Sequence, residues 1–341
     1  MKKLLFIVLI LALSSLLAFT HFQFADWDKS TPVAEVLKAW GADLPSHFLG
    51  EVDPVKVRMG MQLVNEGRAT IDGNKTAFIS KFYVCTDCHS LEREDPILTA
   101  HDPDARLRMA IKENNSFLQG TTFWGIVNRE TFYNDDYKIK YGALVDAARH
   151  SLEGSIQLCA KECSSGRYLE DWEEEAIIHY YWTLQLTLGD LDLSDDDWRW
   201  LLANSRSADR TKDIELLKEK YAQKSPAHFG DWPENTVEGY KVTSKPDPAI
   251  GKEIYERSCQ TCHRKYGCSQ LILESDKLTF AKFTRNFDRN TKYNLYEIIR
   301  KGTYAEPGHR QYMPMYPKER MSDWQVECLR AYMEEELKAS N

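Results

Sequence analysis

The residues best equipped for chemistry in this 341-residue chain are its cysteines and the histidines beside them. Cys85-Thr86-Asp87-Cys88-His89 and Cys259-Gln260-Thr261-Cys262-His263 repeat one pattern, two thiols three positions apart followed at once by an imidazole. Thiols so spaced on a helical turn can add to the two vinyl groups of one porphyrin, and the next residue then offers its imidazole to the iron. The two segments therefore read as attachment sites for two haem c groups. Cys85, Cys88, Cys259 and Cys262 would form the thioether bonds, and His89 and His263 would be the proximal iron ligands. With 8 Cys and 9 His in 341 residues, one accidental match is expected in roughly one chain in two hundred, and two far more rarely. A zinc site would need a second cysteine pair close by, and a redox dithiol has no use for the histidine.

The distal ligand sets what each iron does. About fifty residues behind His263 runs Gln311-Tyr312-Met313-Pro314-Met315-Tyr316-Pro317, a Met-Pro loop that resembles the distal-ligand loop of class I cytochromes c. A thioether favours ferrous iron and raises the potential. Met313, followed directly by proline, is the first choice and Met315 the rival. The first motif has no such loop, because no methionine lies between Met109 and Met313. Aligning the Asp-Trp pairs that open the last helix of each half puts its distal position near residues 159 to 163, where Cys159 and Cys163 stand. Thiolate favours ferric iron and would hold this haem at the lower potential. A Cys159–Cys163 disulfide, with His150 or Met109 on the iron, is the alternative.

The elements that must position these groups read as all-α: two class I cytochrome c-like domains in tandem, residues 51–203 and 246–341, after an N-terminal hydrophobic helix and joined by a linker at 204–245. In the first half an opening helix carries Val57, Met61, Leu63 and Val64. A closing helix starts near Asp171 with Glu174 as its capping partner, and sets Trp172, Ala176, Ile177, Tyr180, Tyr181 and Leu184 on or beside one face. In the second half the opening helix begins near Pro248 and holds Gly251, Ile254 and Tyr255. Its closing helix begins with a Ser322/Gln325 capping box and carries the stripe Trp324, Cys328, Tyr332. A further helix is signalled at Ser194, where Asp195, Asp196 and Asp197 suit the positive end of its dipole. The polar segment punctuated by Pro226, Gly230, Pro233 and Gly239 reads as linker, with one short helix around Glu215 to Tyr221.

Lys2 and Lys3 precede an apolar run from Leu4 to Thr20, so residues 1–22 read as a signal peptide or membrane anchor and the rest of the chain as periplasmic or held at the outer face of a membrane. The formal charge of −8 and the lack of a basic block argue against nucleic acid as a partner. Other redox proteins, small cytochromes or a respiratory complex, are the partners to expect. In that compartment a Cys268–Cys328 disulfide would close a loop of about 60 residues and contribute ~3–4 kcal/mol. The aromatic load needs no binding role, since rings pack well against one another and against porphyrin.

The stretch Ile156-Gln157-Leu158-Cys159 through Cys163 to Gly166-Arg167 resembles the segment that carries the cysteine haem ligand in dihaem, tetrathionate-forming thiosulfate dehydrogenases, and more distantly the cytochromes of the sulfur-oxidising multienzyme system. The likeness extends to the long insertion before Cys85 and to the Met313–Pro317 run. It implies Cys159 as the distal ligand, and Cys163 stands where that family usually has serine. It also implies cations for an oxyanion near the iron, for which Arg167 in the matching segment and Arg129 in the aromatic stretch Phe123 to Tyr141 are the candidates. Two functions follow: a dihaem electron carrier, or a haem-thiolate sulfur-compound oxidoreductase with the first haem as active site (Cys159, with Arg167) and the second as electron exit.

Overall fold

The computed structural model of the chain describes residues 27–203, 210–285, 287, 294–303 and 313–339. The apolar run at residues 1–22, together with Gln311 and Tyr312, lies outside the described residues. Its helices include α1 (Val33–Ala39), α2 (Pro54–Glu66), α3 (Pro103–Glu113), α4 (Leu152–Leu158), α5 (Asp171–Trp182), α6 (Asp195–Ala203), α7 (Thr211–Lys218), α8 (Pro248–Ile254), α9 (Leu295–Lys301) and α10 (Asp323–Ala339), with a further one at Lys277–Arg285. Strand is confined, among the described residues, to a two-residue hairpin in which Thr70 pairs with Lys75 and Ile71 with Asn74. No helix among the described residues is long and apolar enough to cross a membrane.

Local chemistry explains the helix starts. α2, α3 and α8 each open with Asp-Pro: proline suits a position whose N–H has no partner, and the aspartate carboxylate accepts a first-turn N–H, from Val55 at 2.7 Å, Asp104 at 2.9 Å and Ala249 at 2.9 Å. α10 has its expected box, Ser322 N–H donating to Gln325 Oε1 at 2.9 Å and Gln325 N–H to Ser322 Oγ at 3.1 Å. α6 is closed in the same way by Ser194 and Asp197. At α5 the expected pairing shifts by one residue. Glu170 N–H donates to Glu173 at 2.9 Å, whereas Glu174 accepts from Gln157 Nε2 at 2.7 Å and ties α5 to α4.

One helix crossing occurs twice. Gly60 of α2 lies so close to α5 that a Cβ there would fall 2.0 Å from the Ala176 carbonyl oxygen and 2.8 Å from Tyr180 Cβ. Gly251 of α8 meets α10 in the same way, 2.0 Å from the Cys328 carbonyl oxygen and 2.7 Å from Tyr332 Cβ. Each opening helix thus lies backbone to backbone on the closing helix of its own half. The Gly60 contact was not read from sequence.

The halves are not beads on a string. Leu107, Ala110 and Phe117 from the first half belong to the apolar cluster of the second, beside Ile254, Tyr255 and Leu329. Phe117 N–H donates to the Arg257 carbonyl at 2.9 Å and Ser258 Oγ to the Phe117 carbonyl at 2.8 Å. The segment read as linker also packs: Leu217 and Tyr221 are buried in a third cluster around Trp40, Leu188 and Leu201, and the short helix falls at α7, a few residues before its expected place. There Trp27, Trp40 and Trp200 meet edge to face at 5.5 and 5.6 Å, so part of the tryptophan load is ordinary core.

Candidate haem sites

Each Cys-x-x-Cys-His turn opens onto its own apolar cavity. Cys85 to Asp87 form a 3-10 turn in which the Asp87 carboxylate accepts the Val84 N–H at 2.8 Å and His89 N–H donates to the Cys85 carbonyl at 3.1 Å. Asp87 is therefore a cap that holds the two thiols on one face. In the second motif a π-helical turn, Tyr255–Cys259, runs into the short helix Gln260–His263, and Gln260 Nε2 anchors it to the Leu273 carbonyl at 2.6 Å.

The first cavity is walled by Cys85, Cys88 and His89 together with Cys159 and Cys163, and the second by Cys259, Cys262 and His263 together with Met313. Space not filled by protein atoms amounts to about 1470 Å³ and 1260 Å³, open mouths included. The imidazoles are oriented alike. His89 Nδ1 bonds the Thr121 carbonyl at 2.6 Å and His263 Nδ1 the Leu271 carbonyl at 2.7 Å, which leaves each Nε2 free for a metal. Phe123 stacks on the His89 ring at 4.4 Å and 16° and holds its plane. Burial, reinforced by Arg320 and Arg129, drives the His89 pKa down to about 4, and burial likewise lowers that of His263, so both rings are neutral and ready to ligate. Paired thiols, a neutral oriented imidazole and an apolar chamber fit a covalently held haem at both places.

The two Met-Pro-Met methionines part company. Met313 lines the second cavity, held there by its N–H to Thr303 Oγ1 at 2.6 Å and its carbonyl to Thr303 N–H at 3.0 Å. Met315, read as its rival, is buried and lines the first cavity, while Pro314 touches both. Because the two side chains line different cavities, they do not serve one iron. The cavities adjoin: Tyr83 and Gln119 line both, and Cys262 Sγ lies 3.7 Å from the Asp87 carbonyl.

In the wall of the same cavity, Cys159–Cys163 form a second π-helical turn, an irregularity common at functional positions. They are not disulfide-bonded. Cys163 is the more acidic thiol because Cys159 donates to it, helped by Tyr141 Oη at 3.2 Å, Lys140 and Tyr133 Oη at 3.9 Å; donating to Cys163 raises Cys159 correspondingly. Other expected residues lie elsewhere. Arg167 is outside the cavity, its guanidinium forked onto Glu173 with two bonds of 2.6 Å. His150 is solvent-exposed, Met109 sits on α3, and neither lines either cavity. Arg129 does line the first cavity, and so does Lys140, which sequence reasoning passed over although Tyr133, Tyr137 and Tyr141 beside it recur at helical spacing.

The expected Cys268–Cys328 disulfide is absent. Cys328 is buried in α10, where its sulfur accepts the Asp247 N–H at 3.2 Å, and Cys268 instead donates to the sulfur of Cys262. The two cysteines share a domain but not a contact.

Residues 246–333 match the family model for subunit III of cbb3-type cytochrome c oxidase. No curated protein and no solved structure matches the chain. The matched stretch runs from just before α8 into α10 and contains Cys259, Cys262, His263 and Met313. This part of the chain matches a c-type cytochrome domain, which implies haem c and supports electron transfer.

Proposed function

We propose that the chain is a dihaem c-type cytochrome, with one haem held by Cys85, Cys88 and His89 and the other by Cys259, Cys262 and His263. What carries the reading is the duplication of the complete site: in both halves two thiols and an imidazole, its Nδ1 tied to a carbonyl at 2.6 or 2.7 Å, face an apolar cavity. When bound, haem supplies one-electron exchange between ferric and ferrous iron. The protein's own part is to orient His89 and His263, to exclude water with apolar walls, and to set the two sites against each other at Asp87 and Cys262. We assign Met313 as distal ligand in the second site and, in the first, Cys159, the position matched by the resemblance, although Cys163 beside it is the more acidic thiol. Thioether against thiolate would make the first site the electron entry and the second the exit. The lysine pair and apolar run at the N-terminus support an exported, membrane-held protein that serves other redox proteins. The purified protein should carry two macrocycles by mass and give a c-type band in alkaline pyridine; a mass with one or none overturns the proposal.

The ligand assignment has its own test. In oxidised Cys159→Ser protein the near-infrared magnetic circular dichroism band of a thiolate-ligated ferric haem should vanish, whereas Cys163→Ser should keep and shift it. The opposite pattern would hand the iron to Cys163.

A second reading, oxidation of a small sulfur oxyanion at the first site, is favoured by the combination of two thiols, Lys140 and a ring of tyrosine hydroxyls in one cavity. Thiosulfate should then reduce ferricyanide in the presence of the wild-type protein, at least tenfold more slowly in Lys140→Met. No thiosulfate-dependent reduction would leave electron carriage alone.

A further inference from the structure

One wall of the first cavity holds more positive charge than the protein neutralises. Arg106 and Arg320 are 1 % and 3 % exposed and share a single buried carboxylate, Glu94, at 3.5 and 2.6 Å. Arg106 is spent on this structural cluster: it also donates to the carbonyls of Arg320 and Leu118 and lies 3.8 Å above the Phe117 ring. Arg320 donates to the Leu118 carbonyl as well, yet it still lines the cavity. Arg129 lines it too, with one side-chain hydrogen bond, to the Thr122 carbonyl at 3.3 Å, and no carboxylate within ion-pair distance among the described residues. The other acid near this wall, Asp95, faces His101 at 3.6 Å. Three guanidiniums thus confront two carboxylates among the described residues, Glu94 and Asp95, an excess of one positive charge. Buried cations without counter-charge are costly, so an anion belongs in this cavity.

We propose that Arg129 and Arg320 hold the propionate carboxylates of the haem bound at Cys85, Cys88 and His89. Arg320 is part of the matched cytochrome domain, so the second half of the chain completes the first haem site. Planar guanidiniums suit carboxylates because they donate two parallel N–H groups. Their charges also oppose the extra positive charge of ferric iron and hold the first haem's potential up, against the pull of a distal thiolate. The cross-domain contacts then have a chemical purpose: Glu94 and Leu118 of the first half fix an arginine of the second where it can reach the first cavity.

The inference rests on the two-haem reading, and its test separates the two. Mass analysis of wild type and of Arg129→Gln, Arg129→Lys and Arg320→Lys comes first; a wild type with one haem defeats the two-haem reading itself. With two haems present, redox titration of Arg129→Gln should show the first haem's midpoint potential lowered and the second haem's unchanged, with most but not all of the potential recovered in Arg129→Lys. Arg320→Lys should lower the first potential by less, since it keeps the charge and loses the fork. It also serves as the measurement should Arg129→Gln fail to fold. Unchanged first-haem potentials in both, with full haem content, overturn the proposal. So does a result in which the potential holds and only the response to added thiosulfate weakens, which would give these cations to a small oxyanion instead.

Discussion

Replacing Cys259 and Cys262 together by serine should remove one covalent haem and unfold the second half of the chain. The reason lies in how that half is built. Tyr255, Leu295, Ile299, Tyr316, Met321, Leu329 and Met333 belong at once to its apolar cluster and to the cavity wall. Without a macrocycle to cover them they face a void or water, and each apolar side chain left so costs about 1.5–3 kcal/mol. Together these amount to roughly 10–20 kcal/mol at most, comparable to the roughly 5–15 kcal/mol that holds a typical domain together. Mass analysis should show one haem fewer, and far-ultraviolet circular dichroism should show loss of the helix contributed by α8 to α10. A variant of unchanged mass would mean that these thiols bind no haem. A variant that loses the haem but keeps its helix would mean that the fold does not depend on it.

Gly60→Val and Gly251→Val should each destabilise the protein by about 3 kcal/mol or more, since a Cβ at either position would sit 2.0 Å from a backbone oxygen of the facing helix and no rotamer relieves it. The expected fall in thermal midpoint is roughly 6 °C or more. The effect should be local as well: Gly251→Val should disturb the absorption of the second haem more than that of the first, and Gly60→Val the reverse. Equal stability to wild type would show that the crossings are looser than described.

The two Cys-x-x-Cys-His turns were legible in the chain itself because their geometry is local. Two cysteines three apart and the next histidine must share one turn whatever surrounds them, and an Asp-Pro or a Ser-x-x-Gln start satisfies its own N–H groups within four residues. The largely helical class and the closing helix of each half were readable for the same reason. The facing wall of each cavity was not, since it is assembled from segments far apart in sequence. Only packing turns Met315 away from the second site and into the first, takes Arg167 out onto Glu173, places Arg320 against a haem motif more than two hundred residues earlier, and sets Cys268 beside Cys262 rather than Cys328. Short-range covalent geometry determines which atoms can hold a haem; long-range burial of apolar surface determines what that haem would look out upon.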